Sequence, residues 1–225
     1  MPRGDWIRTV QVEPSLYGAD LARLGAQVET LLGAGCRVFH FDVGDGHFVE
    51  AITMGPLVLQ AIAPLVHGDG GVLDVHLLVE DPARYVDAAG AAGADSITFH
   101  FEAVDDVDGT IRAVHGQGLL AGVAFDRETE PEAVAGVAGA ADLVLCSGVQ
   151  RVPSGHSLPQ ETVERVERLR AALERPTPIQ VDGDVGPENI ERLRAAGASL
   201  FVVASAIFAQ EDPAEAYRGL VHALS

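Results

Sequence analysis

Two short segments of this chain read as strands that end in groups able to bind a metal or move a proton. His40-Phe41-Asp42 sets an imidazole and a carboxylate two residues apart, and in an extended strand that spacing points both to the same face. Asp74-Val75-His76 does the same in the reverse order, and a third apolar run ends at Asp182. Polar groups that interrupt apolar strands have no solvent to satisfy them, so they need one another or a ligand. Two imidazoles and two carboxylates converging from three strands make an N2O2 site for one divalent metal ion, with zinc the first choice and manganese, iron or cobalt the alternatives. Taken singly, each residue has a plainer reading: a strand histidine satisfied in the core, or an aspartate capping the next helix. Asp74 fits either an orienting partner for a ligand histidine or a purely structural group. The argument rests on the set.

The elements that would bring these residues together repeat along the chain. Apolar, β-rich runs alternate with alanine- and leucine-rich stretches of helical spacing, the pattern of parallel strands joined by crossover helices. Eight strands are expected, over 10–13, 37–43, 72–78, 96–101, 119–124, 143–147, 179–182 and 200–204. The helical stretches between them include 20–32, 82–92, 160–173 and 187–196. Glycines at 35, 93 and 197 follow alanine-rich helix ends and fit left-handed C-caps. The expected architecture is a single (β/α)8 TIM barrel over residues 1–225, whose strand C-termini carry the working groups. The loop over 148–158 is the longest and falls on that face.

Composition narrows the function. A chain of 225 residues with 48% hydrophobic residues suits one barrel. A net charge of −18 repels phosphate backbones and anionic lipid surfaces, so nucleic acid and membrane are poor partners. The longest apolar runs, such as 200–209, are too short to span a bilayer, and the first six residues lack an apolar signal core, so a cytoplasmic location is expected. Cys36 and Cys146 are too few for a disulfide scaffold and fit buried thiols. All 15 basic residues are arginine; without a lysine, Schiff-base aldolase chemistry is excluded.

The segments Pro14-Ser15-Leu16, 40–49 (HFDVGDGHFV), 73–77 (LDVHL), 98–103 (TFHFEA), Val181-Asp182-Gly183 and 205–208 (SAIF) together resemble the ribulose-phosphate 3-epimerase family. The resemblance runs from about residue 12 to residue 223. It implies a metal held by His40, Asp42, His76 and Asp182, with Asp42 and Asp182 also serving as catalytic acid and base. The chemistry agrees: inverting a carbon beside a ketone needs a proton taken from one face and another delivered to the opposite face. The second and seventh strands are expected to lie across the barrel from each other, so that the two carboxylates flank the substrate. The metal would stabilise the ene-diolate charge, and no organic cofactor is needed. Ser15 matches a family position that contacts substrate. The family's barrels also imply a homo-oligomer, and the partner implied is a small sugar or sugar phosphate.

The chain departs from the family where phosphate is bound. Backbone N–H groups offered by glycines after strands six, seven and eight normally receive the anion. Here the first of these loops contains Arg151, Pro153, Ser154 and His156; the second reads Gly183-Asp184, and the third Ala204-Ser205. Pro153 removes a donor, and Asp184 places a carboxylate where a phosphate belongs. Arg151 could compensate, or could pair with Asp184. Arg151, Ser154, Gly183, Asp184, Ala204 and Ser205 are therefore the expected substrate-binding positions. Gly44, Leu78 and Cys146 stand where the family has methionines, and Gly44 suggests a wider pocket floor. These features support a metal-dependent 3-epimerase of a ketose phosphate of the ribulose 5-phosphate type. An epimerase or isomerase of an unphosphorylated or differently tailed ketose, and a non-catalytic binding barrel, are the alternatives.

Overall fold

The computed structural model of the chain describes residues 4–148 and 160–225. Eight parallel strands follow one another: β1 (Gln11–Pro14), β2 (Val38–Gly44), β3 (Val72–Leu78), β4 (Ser96–His100), β5 (Leu120–Phe125), β6 (Leu143–Ser147), β7 (Ile179–Asp182) and β8 (Leu200–Val203). They form one sheet in the order β1-β8-β7-β6-β5-β4-β3-β2. Its two ends meet at a parallel bridge between Ser15 and His40, so the sheet curls into a nearly closed barrel. Helices between the strands complete the (β/α)8 pattern: α1 (Leu24–Gly33), α2 (Pro56–Gly68), α3 (Ala83–Ala92), α4 (Val107–Gly116), α5 (Pro131–Val137), α6 (Gln160–Ala172) and α7 (Ile190–Ala196). After β8 come the short α8 (Ser205–Phe208) and α9 (Pro213–Ala223).

The strands lie within two residues of their expected bounds. Two helices start later than their periodicity suggests. Asp20 caps a 3-10 turn, Leu21–Arg23, by accepting from Ala22 N at 3.0 Å, and α1 follows it. Before α7, Asn189 bonds the Gly186 N–H and the Asp184 carbonyl and so holds a non-helical turn through 187–189. Gly35, Gly93 and Gly197 take φ of 97°, 108° and 114°, the left-handed helix ends that their sequence context implies.

Alternation along the strands separates two apolar regions. Outward residues such as Phe39, Phe41, Val75, Ile97, Phe99 and Val181 pack with the helices in the larger cluster. Inward residues Val38, Val72, Leu143 and Leu200 form a smaller cluster inside the barrel, joined by Trp6 and Ile7 of an N-terminal 3-10 turn. Toward the C-terminal ends the inward positions turn polar: Glu13, His40, Asp74, Ser96 and Gln180, then Ser15, Asp42, His76, His100 and Asp182. Among the described residues no helix is long and apolar enough to cross a membrane.

Candidate active site and metal centre

His40, Asp42, His76 and Asp182 meet at the C-terminal mouth, each offering one ligand atom, all within 4.8 Å of one another. His40 and Asp42 come from alternate positions of β2, and register sets Asp42 opposite His76 of β3. His76 Nδ1 is 3.2 Å from Asp42 Oδ1 and 3.8 Å from Asp182 Oδ2. His40 Nε2 lies 3.2 Å from the same Asp42 oxygen, yet it is buried and makes no hydrogen bond. Nitrogen and carboxylate lone pairs aimed at one volume repel one another until a cation enters it. This orphaned nitrogen and the N2O2 donor set therefore fit a divalent metal. Going round the barrel, β2 and β7 are separated by β1 and β8. They are thus three positions apart rather than diametrically opposed, which is why Asp182 can share a ligand set with Asp42.

Beneath this set lies a buried polar layer. His40 Nδ1 pairs with Asp74 Oδ2 at 2.8 Å, and a carboxylate accepts, so the proton sits on Nδ1 and Nε2 keeps its lone pair toward the site. Asp74 is held in turn by the Ser96 hydroxyl at 2.5 Å and by Gln180 Nε2 at 2.8 Å. It thus takes the orienting role that the sequence left open. Gln180 also donates to Glu13, whose burial, with Asp74 nearby, raises its pKa well above the carboxylate range.

Electrostatics separates the two aspartates. Burial pushes Asp42 upward, but His40 and His76 outweigh it and hold its carboxyl well below the usual range. Burial and the charge of Asp42 raise Asp182 to about 6. Burial by itself would discharge His40, yet Asp42 and Asp74 raise its pKa well above the ordinary value. A proton and a metal ion therefore compete for the same nitrogen.

Ser15 donates its hydroxyl to Asp42 Oδ2 at 2.6 Å, so it reaches the site through a carboxylate as well as by its place on the rim. Gly44 does not widen the floor. A Cβ there would lie 2.7 Å from the Ala51 carbonyl oxygen and 3.1 Å from both Val49 and Thr53 side chains. The glycine instead admits the returning chain, which Thr53 staples by donating to the Asp42 carbonyl and accepting from Gly44 N, each at 2.7 Å. Cys146 and Cys36 are buried free thiols, raised by burial to about 11 and about 12.

The expected phosphate-site residues divide. Gly183, with φ 108°, and Asp184, with φ 50°, form the turn after β7, and Asp184 is exposed. Ala204 packs against Gly18 of the loop after β1, where a Cβ would come within 3.1 Å of the alanine methyl; Ser205 beside it is exposed. Arg151 and Ser154, with Pro153 and His156, lie outside the described residues.

Sequence reasoning gave no role to His100 and Glu102, although both stand within the stretch that carried the resemblance. His100 Nε2 is 3.0 Å from His76 Nε2, and its Nδ1 is 3.2 Å from Glu102 Oε2. Glu13 and Gln180 also went unremarked. The spacing that picked out His40 and Asp42 marks all three strand residues, since 13 and 15, 98 and 100, and 180 and 182 are likewise alternate positions on inward faces.

A barrel that gathers a metal-competent set of imidazoles and carboxylates at its C-terminal mouth has the arrangement of the (β/α)8 barrel enzymes, whose working groups lie at that face. Solved barrels share the fold at low identity. A 3-hexulose-6-phosphate synthase from Salmonella typhimurium matches with a TM-score of 0.72 at 18% identity, over 95% of this chain and 98% of that one. Orotidine 5'-phosphate decarboxylase from Pyrococcus horikoshii matches with a TM-score of 0.70 at 16% identity, over 95% and 99%. Sequence comparison is more specific. Residues 11–208 match the ribulose-phosphate 3 epimerase family. Ribulose-phosphate 3-epimerase 2 of Cupriavidus necator is 36% identical over 96% of this chain and 92% of its own length. The Escherichia coli ribulose-phosphate 3-epimerase is 37% identical over 89% and 90%. The chain belongs to the ribulose-phosphate 3-epimerase family and is a carbohydrate epimerase, an isomerase.

Proposed function

We propose that the protein is a metal-dependent 3-epimerase of a ketose phosphate, interconverting sugars of the ribulose 5-phosphate and xylulose 5-phosphate type. The observation that carries the reading is the convergence of four donor groups within 4.8 Å around a buried His40 Nε2 that makes no hydrogen bond. His40, Asp42, His76 and Asp182 would hold one divalent cation, zinc before manganese, iron or cobalt. When bound, the cation supplies Lewis-acid stabilisation of the negative charge that develops as the substrate loses its proton.

The residues do the proton work. One aspartate takes the proton from the carbon beside the ketone, and the C–H electron pair moves into the carbonyl system. The other aspartate returns a proton to the opposite face of that carbon, so the stereocentre inverts with no net redox change. Environments that push two carboxyl pKa values apart suit such a division, since Asp42 stays ionised while Asp182, raised to about 6, takes up and releases its proton close to neutral pH. Ser15 orients Asp42, and Asp74 orients His40.

One observation favours the second reading, an unphosphorylated or differently tailed ketose. Asp184 stands exposed in the turn after β7, where the resemblance places glycine N–H groups that receive phosphate. A homo-oligomer is supported by the apolar side chains of Tyr17, Leu21, Ile52 and Leu57, which are 54 to 84% exposed on the neighbouring segments after β1 and β2.

Turnover in deuterated water tests the chemistry. Deuterium is expected at the carbon beside the ketone of the recovered sugar, and Asp42→Asn or Asp182→Asn is expected to slow turnover by at least ~100-fold. Full activity in either variant would remove the two-carboxylate scheme.

A further inference from the structure

We propose that His100 and Glu102 are positioning residues that fix the tautomer of His76 through a chain of hydrogen bonds running from Glu102 through His100 to His76. The proposal rests on the reading of His76 as a metal ligand. It assigns the last two residues of an outer chain that no ligand set contains.

With His76 Nδ1 committed to the metal, the direction of each remaining bond follows from the atoms at its ends. Glu102 Oε1 accepts from the Asp126 backbone N–H at 2.9 Å and from the Thr129 hydroxyl, which pins the carboxylate. Glu102 Oε2 lies 3.2 Å from His100 Nδ1. A carboxylate accepts, so a neutral His100 carries its proton on Nδ1 and keeps a lone pair on Nε2. That lone pair is 3.0 Å from His76 Nε2, and two lone pairs cannot face each other at that distance. His76 Nε2 therefore carries the proton and donates. The remaining nitrogen, Nδ1, is left as the lone pair that a bound cation would take, with Asp42 and Asp182 at 3.2 and 3.8 Å.

The two ligand histidines are thus set in opposite senses by different means. A carboxylate acts directly on His40 and leaves Nε2 free for the site, whereas a neutral imidazole stands between His76 and its carboxylate and leaves Nδ1 free. The interposed ring keeps the charge of Glu102 one imidazole further from a mouth that already holds Asp42 and Asp182. The surroundings hold the chain still. The His76 and His100 rings lie 19° from parallel with centroids 5.1 Å apart, and the Phe48 ring meets His100 at 4.8 Å between centroids. Phe48 is itself presented by a turn in which Asp45 Oδ1 accepts from the His47 and Phe48 N–H groups. Buried Arg165 donates to the carbonyls of Asp126, Arg127 and Thr129, fixing the segment that fixes Glu102.

The test has two arms on the full-length chain. Long-range 1H–15N spectra of the zinc-loaded, 15N-labelled protein, assigned with His76→Gln and His100→Gln, read the proton positions directly. The expected result is a neutral His100 protonated on Nδ1 and a His76 protonated on Nε2. A proton on His76 Nδ1, or a doubly protonated His100, overturns the proposal.

Zinc affinity by chelator competition is the second arm. His100→Leu, which removes both acceptor and donor, is expected to weaken zinc by about 10- to 100-fold, the usual effect of losing an outer partner of a ligand histidine. His100→Gln keeps a carbonyl for His76 and an amide for Glu102 and should recover most of the loss, with metal-free melting temperatures as the control. Undiminished affinity in His100→Leu, or no recovery in His100→Gln, overturns the positioning role while leaving the metal site standing. An unmodified protein that takes up no zinc removes the metal reading and this proposal with it. If His100→Leu does not fold, the tautomer spectrum decides.

Discussion

Ser15 Oγ donates to Asp42 Oδ2 at 2.6 Å across the seam where the first and second strands meet. The same serine forms the backbone bridge with His40 that closes the barrel, and its N–H bonds the Val203 carbonyl at 2.9 Å. Closure of the sheet and orientation of a candidate catalytic carboxylate are therefore one structural feature. A hydrogen bond to a charged group contributes roughly 1.5–3 kcal/mol. Ser15→Ala, which keeps the backbone, should lower kcat/KM by about 10- to 100-fold if that contribution is made in the transition state. Steady-state kinetics on the metal-loaded variant checks this, and unchanged kcat/KM would mean that Asp42 is oriented without Ser15.

Metal analysis of the purified protein should find about one equivalent of divalent cation per chain. His40→Ala and His76→Ala should each remove it, because each deletes one of only two nitrogen ligands. Retention of a full, tightly bound equivalent by both variants would place the metal elsewhere.

The raised pKa of Asp182 gives the metal-free protein a distinctive pH response. Burial first, and Asp42 second, lift this carboxyl from the ordinary range to about 6, so between roughly pH 4 and pH 6 the folded state binds a proton that the unfolded chain has released. Its contribution to stability is present at the acid end of that window and is lost as pH rises through the folded value. Asp182→Asn should therefore stabilise the metal-free protein more at pH 8 than at pH 4.5. Denaturant melts of the two proteins at both pH values supply the comparison, and a difference that grows toward acid pH contradicts the assignment.

Asp184 is the one non-glycine residue with positive φ among those described, at 50°. Asp184→Gly should raise stability by up to about 1 kcal/mol through relief of left-handed strain, offset in part by the added freedom of the unfolded chain. It should also raise kcat/KM for ribulose 5-phosphate, while leaving an unphosphorylated ketose nearly unaffected, since only the dianion gains from removing a negative charge. Parallel kinetics on the two sugars measure the selectivity. Equal response by both sugars, or efficient turnover of ribulose 5-phosphate by the unmodified protein at about 10^4 per molar per second or above, would mean that Asp184 does not repel the phosphate.

The barrel was legible in the sequence because its strands are buried on both faces. Such strands appear as short apolar runs bounded by glycine and helical periodicity, and the expected runs fall within two residues of those observed. The four metal-competent residues were legible for the same reason, since period-two spacing at the ends of apolar strands leaves polar side chains little choice of face. Local spacing does not reveal which groups meet across strands. The partnership of Asp74 with His40 depends on the register of β2 against β3, and that of His76 with His100 on ring contact between adjacent strands. The space at Gly44 likewise depended on the fold. A missing side chain suggested a wider floor, but the chain returning through Val49, Ala51 and Thr53 occupies the room. Composition and alternation determined the architecture and the chemistry available at its mouth, because burial acts on each residue locally. Register and loop return decided which nitrogen of each histidine faces the site, because those contacts join residues 24 to 34 positions apart in the chain.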